Sequence, residues 1–503
     1  MNAVALNGLV GLPVAFVVLT VLAGRRRERL AVTVAVVGAV GTLLWSVWTV
    51  LISSWALDGS HVDLAWVAAL DIRWHLGLDG ISGPLVLMAT LVFVCVLGSL
   101  LRNAPDCGGT AALAALLLLI EAGVLGSFLA LDMVLFFAFF EVALIPMWFV
   151  IHQWGDTHGP DAEARRRRAA TRFLVFTVLG SALMLVGFVL VRSEAGTFDI
   201  VRIASTYDPS GPTALAAAVL IALGLAVKTP LWPLHIWLPD AHSTAPTVGS
   251  VVLAAVLLKL GTYGFIRFWM PVADPDWEVL VPFVAGLAVV GIVYAALACL
   301  AQTDLKRLIA YSSVGHMGFV VLALATFTAG GVQAAVFASV AHGLITGLLF
   351  FLAGSIEDRY GTGTIAELRG LYASVPRLAG VFAFAAMASL GLPGLAGFWG
   401  EMLAIRSALY PVPGLPQGTF VTLAVIAAFG VILTSAYFLA LMRSMLQGSV
   451  TSATGPPEPP PDVSAVEWLV WSPLLVLTVV LGVAPGLVLS PVAEAATSFL
   501  GLP

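Results

Sequence analysis

The sequence predicts an all-α polytopic membrane protein, on three observations. Of its 503 residues, 60% are hydrophobic and only 10% are charged. Soluble proteins carry about 25% charged residues, so this chain has too little polar surface to coat a globule in water. Its apolar residues fall in runs of about 20, the length a helix needs to cross a bilayer. Its arginines are also unevenly distributed between alternate loops, as the positive-inside rule requires. The net charge of −5 decides nothing, because orientation depends on where Lys and Arg fall.

Reading along the chain gives fourteen candidate spans. They lie near 3–23, 30–52, 79–101, 111–130, 132–152, 171–191, 213–237, 246–270, 279–300, 307–328, 331–355, 377–409, 418–446 and 466–490. The first has neither a basic n-region nor a small-residue cleavage site, so it reads as a retained span. The whole chain, 1–503, reads as one membrane domain. Three N-terminal spans occupy 1–110, a first repeat 111–270, a second repeat 279–446, and a last span 466–490.

The basic residues test this count. Arg25, Arg26, Arg27 and Arg29 follow span 1, and Arg102 follows span 3. Arg165, Arg166, Arg167, Arg168 and Arg172 follow span 5, and Lys306 and Arg307 follow span 9. Arg359, Arg369 and Arg377 follow span 11, and Arg443 closes span 13. Only Arg73, Arg192, Arg202 and Arg267 fall on the other side. Odd-numbered loops are therefore expected in the cytoplasm and both termini outside.

Cys95, Cys107 and Cys299 are far apart and lack CxxC spacing. They hold neither an iron–sulfur cluster nor a disulfide framework. No metal-ligand cluster or nucleotide loop is readable. Richness in Ala, Val, Gly and Arg points to a GC-rich bacterial genome, hence a bacterial plasma membrane. The Pro-rich stretch from Thr454 to Ser464 reads as a semi-rigid loop before span 14.

Two spans carry breaks. Span 7 contains Pro230 and Pro233, and span 12 contains Gly391, Pro393 and Gly394. Proline removes a backbone donor and clashes with the preceding turn. Backbone groups freed at membrane depth must line a polar cavity or be buried in protein. A pair of interrupted spans at matching positions points to two inverted repeats. Span 7 is the fourth of spans 4–8, and span 12 the fourth of spans 9–13. Proline kinks that only shape packing are the alternative, but kinks alone would not need the charges beside them.

Those charges are the candidate site. Lys228 and Lys259, two of three lysines, lie within spans, as do Glu141 and Glu401. A charge at the bilayer centre costs roughly 2.5–3.5 kcal/mol even on the mildest scale. Glu141, in its aromatic setting from Phe136 to Pro146, is expected to be protonated or paired, with Lys228 as partner. That pair is either a switchable proton site or a static ion pair. Lys259 is expected to relay the proton, the alternative being snorkelling to an interface. His235, His242, His316 and His342 offer imidazoles that titrate near neutral pH; each is either a relay or a hydrogen-bonded core residue. Glu121 is likewise relay or structure. Ser312, Ser313, Thr346 and Tyr311 are weaker supports for water chains. Asp79 and Asp132 read as helix caps, and Asp240 and Lys306 as interfacial anchors.

Three motifs carry a resemblance. They are Phe-Phe-Glu-Val-Ala-Leu-Ile-Pro around Glu141, the stretch from Val227 to His242, and the stretch from Gln302 to Gly318. They resemble the antiporter-like subunits of proton-pumping NADH:quinone oxidoreductase, respiratory complex I, over roughly residues 75–445. The resemblance implies a fourteen-helix core with two inverted five-helix repeats. It also implies the roles: Glu141 and Lys228 as coupling pair, Lys259 as central relay, His316 and His342 on the axis, Glu401 as exit-side site. The context Gly397-Phe-Trp-Gly-Glu401 is similar to the branch that carries glutamate here, where the L and N chains carry lysine. FMN, iron–sulfur clusters and quinone are then expected in partner subunits and no cofactor in this chain, with L and N as neighbours. The rival readings are a subunit of a multi-subunit sodium/proton antiporter or membrane-bound hydrogenase, or a structural scaffold with no ion path.

Overall fold

The computed structural model describes residues 3–25, 27–53, 55, 57, 60–102, 108–157, 161–273, 279–451 and 460–501. Cys107 and the proline-rich stretch up to position 459 lie outside the described residues. Among those described, 13 helices are long and apolar enough to cross a membrane. Broken span 12, with two 14-residue halves, completes the expected set.

Spans 1 to 6 are Ala3–Gly24, Glu28–Ile52, Ser82–Ser99, Thr110–Leu129, Met133–Trp154 and Ala162–Ala195. Span 7 is split into Gly211–Lys228 and Trp237–Thr244, and span 8 follows over Thr247–Trp269. Spans 9 to 11 are Leu280–Leu300, Leu305–Leu324 and Ala329–Tyr360. Span 12 is split into Pro376–Ser389 and Ala396–Leu409. Spans 13 and 14 are Gln417–Leu446 and Ala465–Val483.

The two five-span sets share local construction. Asp132 caps span 5, accepting from the amides of Val134 and Leu135. Asp304 caps span 10, accepting from the amide of Arg307. Each aspartate also forms an isolated bridge to the loop that precedes the broken span of its own set, Asp132 with Asp199 and Asp304 with Thr364. The amides repeat the match: Met133 donates to Phe198 and Ile200 to Leu131, as Leu305 donates to Gly363 and Ile365 to Thr303. Five is odd, so successive sets enter the membrane from opposite faces.

Span 8 is the most enclosed element, with every residue from 248 to 270 buried. It packs against spans 3, 4, 5, 7 and 11. Span 11 is the second pillar, touching spans 3, 8, 10, 12 and 14. Outward faces of peripheral spans carry exposed aliphatics, such as Val175, Leu179, Val186 and Val189 on span 6. Apolar solvent lies outside and the polar groups turn inward.

Four features depart from the expected picture. An antiparallel hairpin pairs His61–Val67 with Ile72–Gly77 before span 3, an exception to the all-α class. Span 8 contains two π-helical stretches, Leu253–Leu257 and Phe265–Trp269. The last span ends at Val483, and a separate helix, Gly486–Leu500, follows Pro485. Arg267, assigned above to an outer loop, is instead fully buried and ion-paired with Asp79.

Candidate functional site

Four of the predicted residues form one line. The Lys259 ammonium donates to the Ala254 carbonyl at 2.6 Å and lies 2.6 Å from His342 Nδ1. Ala254 belongs to the first π-helical stretch, and such bulges concentrate at functional sites. With Lys259 protonated, its ammonium has only hydrogens to give, so His342 Nδ1 accepts. Nε2 then carries the N–H, buried without a partner among the described residues. The His342 ring stands edge-on to His316, with centroids 5.6 Å apart. With Glu401 as carboxylate, His316 Nδ1 donates to its Oε1 at 2.9 Å, and His316 Nε2 accepts from the Ser389 hydroxyl at 3.1 Å.

The breaks position these groups. Lys228 ends the first half of span 7. Glu401 sits early in the second half of span 12, and Ser389 ends its first half. Gly391 and Gly394 take φ values of 82° and 92°, a region that costs glycine little and other residues more. They turn the chain between the halves, so that Ser389 and Glu401 both face His316. A cavity of about 30 Å³ lies against His316, His342, Thr346, Ser389 and Glu401, more than the roughly 10–15 Å³ that one water needs.

The other predicted residues stand apart from this line. Lys228 is 1% exposed and its Nζ has no hydrogen-bond partner among the described residues. It lies over the rings of Phe140 and Phe173, at 4.7 and 5.8 Å, an attractive cation–π arrangement. Glu141 is half-buried and close enough for its charge to act on Lys228, yet no ion pair joins them. His242 stacks on Phe350 with both ring nitrogens unpartnered, near enough to Lys259 and His342 for their charges to interact. His235 lies beside Tyr294 and Tyr311 with Nδ1 unpartnered. Glu121 is fully buried with both carboxyl oxygens unpartnered and is not joined to the line. Ser312 and Ser313 are turned back onto the Ile309 carbonyl, while Thr346 faces the small cavity. Buried polar groups without partners are rare in static cores. Among the described residues, about half of those that carry such atoms are ones the sequence singled out.

A larger cavity of about 520 Å³ opens near the junction of spans 7 and 8, lined by Arg102, Thr247, Lys306, Ser355, Glu357 and Glu467 among others. Lys306 pairs with Glu357. Glu467 binds Arg359 at 2.8 Å and Arg102 at 3.1 Å. Asp240, read as an anchor, pairs with Arg172 and Arg307. Sequence reading missed Ser389 and the Glu467 cluster, because a serine or a helix-start glutamate has no spacing that marks it. Where the hairpin meets the loop before span 7, ligand-type atoms of Asp63, His75 and Asp199 lie within 4.8 Å of one another. Arg73 already binds Asp63, and His75 binds Asp199, so these donors are engaged within the protein.

Comparison with known proteins agrees with this fold. Residues 130–434 match the family described as NADH:quinone oxidoreductase/Mrp antiporter, TM. NADH-quinone oxidoreductase subunit M of Rhodobacter capsulatus is 41% identical over 438 residues, covering 85% of this chain and 81% of that protein. A chain of respiratory complex I from Thermus thermophilus superposes with a TM-score of 0.84 at 30% identity, covering 99% of this chain and all of that one. A chain of the Mrp complex from Dietzia sp. DQ12-45-1b has the same fold, with a TM-score of 0.84 at 22% identity over 99% of this chain and 98% of that one. The chain belongs to the NADH-quinone oxidoreductase subunit M family, antiporter-like multi-pass membrane subunits of respiratory complex I.

Proposed function

We propose that this chain translocates protons within a bacterial NADH:quinone oxidoreductase, driven by quinone reduction in partner subunits that hold the FMN, iron–sulfur clusters and quinone. The observation that carries this reading is the line Lys259–His342–His316–Glu401, with hydrogen bonds at each end and two edge-on imidazoles between. The large cavity, on the arginine-rich and hence cytoplasmic face, supplies water as far as the residues after His242. A proton taken up there reaches Lys259 by way of His242 and passes through His342 and His316. A water in the 30 Å³ cavity bridges the imidazoles and Glu401. Glu401 then releases the proton outward, on the side where both termini lie. Lys228 sets the timing: with Glu141 close, its charge is held, and when Glu141 moves away, desolvation favours release toward Lys259. Each proton moved against 100 mV costs about 2.3 kcal/mol. That energy arrives from neighbouring subunits, the L and N chains among them.

Lys259→Ala or Glu401→Gln should abolish the proton-to-electron ratio attributable to this subunit while the complex still assembles. Unchanged stoichiometry in reconstituted vesicles for both variants would sink the reading.

A further inference from the structure

Serines and threonines inside the spans commonly spend their hydroxyl hydrogen on the carbonyl one turn back. Ser127 gives its hydrogen to Gly123, Ser435 to Val431 and Thr478 to Leu474. Ser389 does not. It is 3% exposed and ends the first half of span 12. Among the described residues its hydroxyl has one hydrogen-bond partner, His316 Nε2 at 3.1 Å.

With that bond in place, every hydrogen between Lys259 and Glu401 points the same way. Lys259 donates to His342 Nδ1, and the N–H of His342 is then on Nε2, which has no partner among the described residues. The two rings stand edge-on with centroids 5.6 Å apart, and no hydrogen bond joins them. The 30 Å³ cavity touches both His342 and Ser389 and has room for a water. A water there accepts from His342 Nε2 and donates to Ser389 Oγ. Ser389 donates to His316 Nε2, and His316 Nδ1 donates to Glu401 Oε1 at 2.9 Å. The other carboxylate oxygen, Oε2, faces the break, where a Cβ on Gly391 would lie 3.4 Å from it.

We propose that Ser389 is a proton-relay residue, the group through which a proton enters His316 at Nε2. This role rests on the proton path proposed above. Lys259 gives one proton to His342 Nδ1, and the hydrogen on Nε2 passes to the water. A water hydrogen goes to Ser389 Oγ, the serine hydrogen to His316 Nε2, and the Nδ1 hydrogen to the Glu401 carboxylate. Lys259 ends as a neutral amine and Glu401 as a neutral acid, while every group between keeps its number of hydrogens. A hydroxyl both donates and accepts, so the same serine serves the chain after its hydrogens have reversed.

The test is the number of protons moved per quinone reduced by the intact complex in vesicles. Threonine and valine have nearly the same shape and differ in the hydroxyl. Ser389→Thr should stay near wild type. Ser389→Val should lose the share of the ratio attributable to this subunit, as Glu401→Gln should. If Ser389→Val fails to assemble, Ser389→Cys takes its place, because a thiol keeps the size but donates and accepts weakly; the same loss is expected. A wild-type ratio in the assembled variant without the hydroxyl overturns the proposal and means that water hands the proton to Glu401 directly. Equal loss in Ser389→Thr and Ser389→Val also overturns it, since the serine would then only fill space. Glu401→Gln in the same vesicles separates the two readings. A lowered ratio there beside an unchanged Ser389→Val sinks the serine alone, and an unchanged ratio in Glu401→Gln sinks the path itself.

Discussion

His75 and Asp199 lie 124 positions apart in the chain, yet His75 Nδ1 sits 2.9 Å from Asp199 Oδ2. Asp199 also caps the short helix Ile200–Thr206, so this one carboxylate ties the hairpin to the loop before span 7. Burial alone would raise the Asp199 carboxyl; the hydrogen bond and charge of His75, with the helix amides, outweigh it and hold the carboxyl below its ordinary value. A lowered folded value means that the stabilisation is present above the unfolded carboxylate value of about 4 and is lost as pH falls further. Hydrogen-exchange protection of the hairpin amides from 61 to 77 should therefore be full at neutral pH and fall below about pH 4. In His75→Ala that acid-dependent fall should shrink or vanish, because the carboxyl is no longer held low. An equal fall in the two proteins would show that the hairpin is held by something else.

At the scale of elements, the site depends on how closely span 8 approaches the break in span 7. A Cβ on Gly261 would lie 2.1 Å from Thr229 Oγ1 and 2.9 Å from the Thr229 amide nitrogen, so only glycine permits the contact. It fixes Lys259, two residues earlier, relative to Lys228, the residue before Thr229. Gly261→Ala should destabilise by about 1–3 kcal/mol, the usual cost of overpacking, read as a lower thermal midpoint of the purified complex. Thr229→Ala in the same chain should restore part of that loss, since the amide clash remains. The breaks in spans 7 and 12 were legible because proline and glycine write them into the sequence. The π-helical stretches of span 8 were not: Leu253-Ala-Ala-Val-Leu257 is an ordinary helical sequence, and its distortion is imposed by packing. The hairpin was equally silent, being short and half exposed.

Across the whole molecule, the legible part of the site was the part that is expensive in lipid. Lys259, Glu401 and the histidines could be picked out because charges and imidazoles stand out against an apolar span. Which of them touch could not be read, because those contacts join different helices, as between Lys259 and His342 83 positions apart. Arg267 escaped for the opposite reason: near the end of its span it looked like a loop residue. The molecule also leaves Glu141 and the turn of span 12 uncovered. Glu141 is half-buried beside exposed Val142 and Ile145, and the turn of span 12 exposes Leu392, Pro393 and Gly394. Irregular backbone at membrane depth is tolerated only where protein or water covers it, and a carboxyl facing hydrocarbon is costly for the same reason. The expectation is that a neighbouring subunit covers each face, one beside span 5 and another beside span 12. A Leu392→Asp substitution places a charge on the span 12 face without touching the buried line. It should cut recovery of this chain with its neighbouring membrane subunits by about tenfold or more, while Leu469→Asp, on a span 14 face 75% exposed at that residue, controls for charge at membrane depth. Equal recovery of the two variants would mean that lipid or water, and no partner chain, lies against the break.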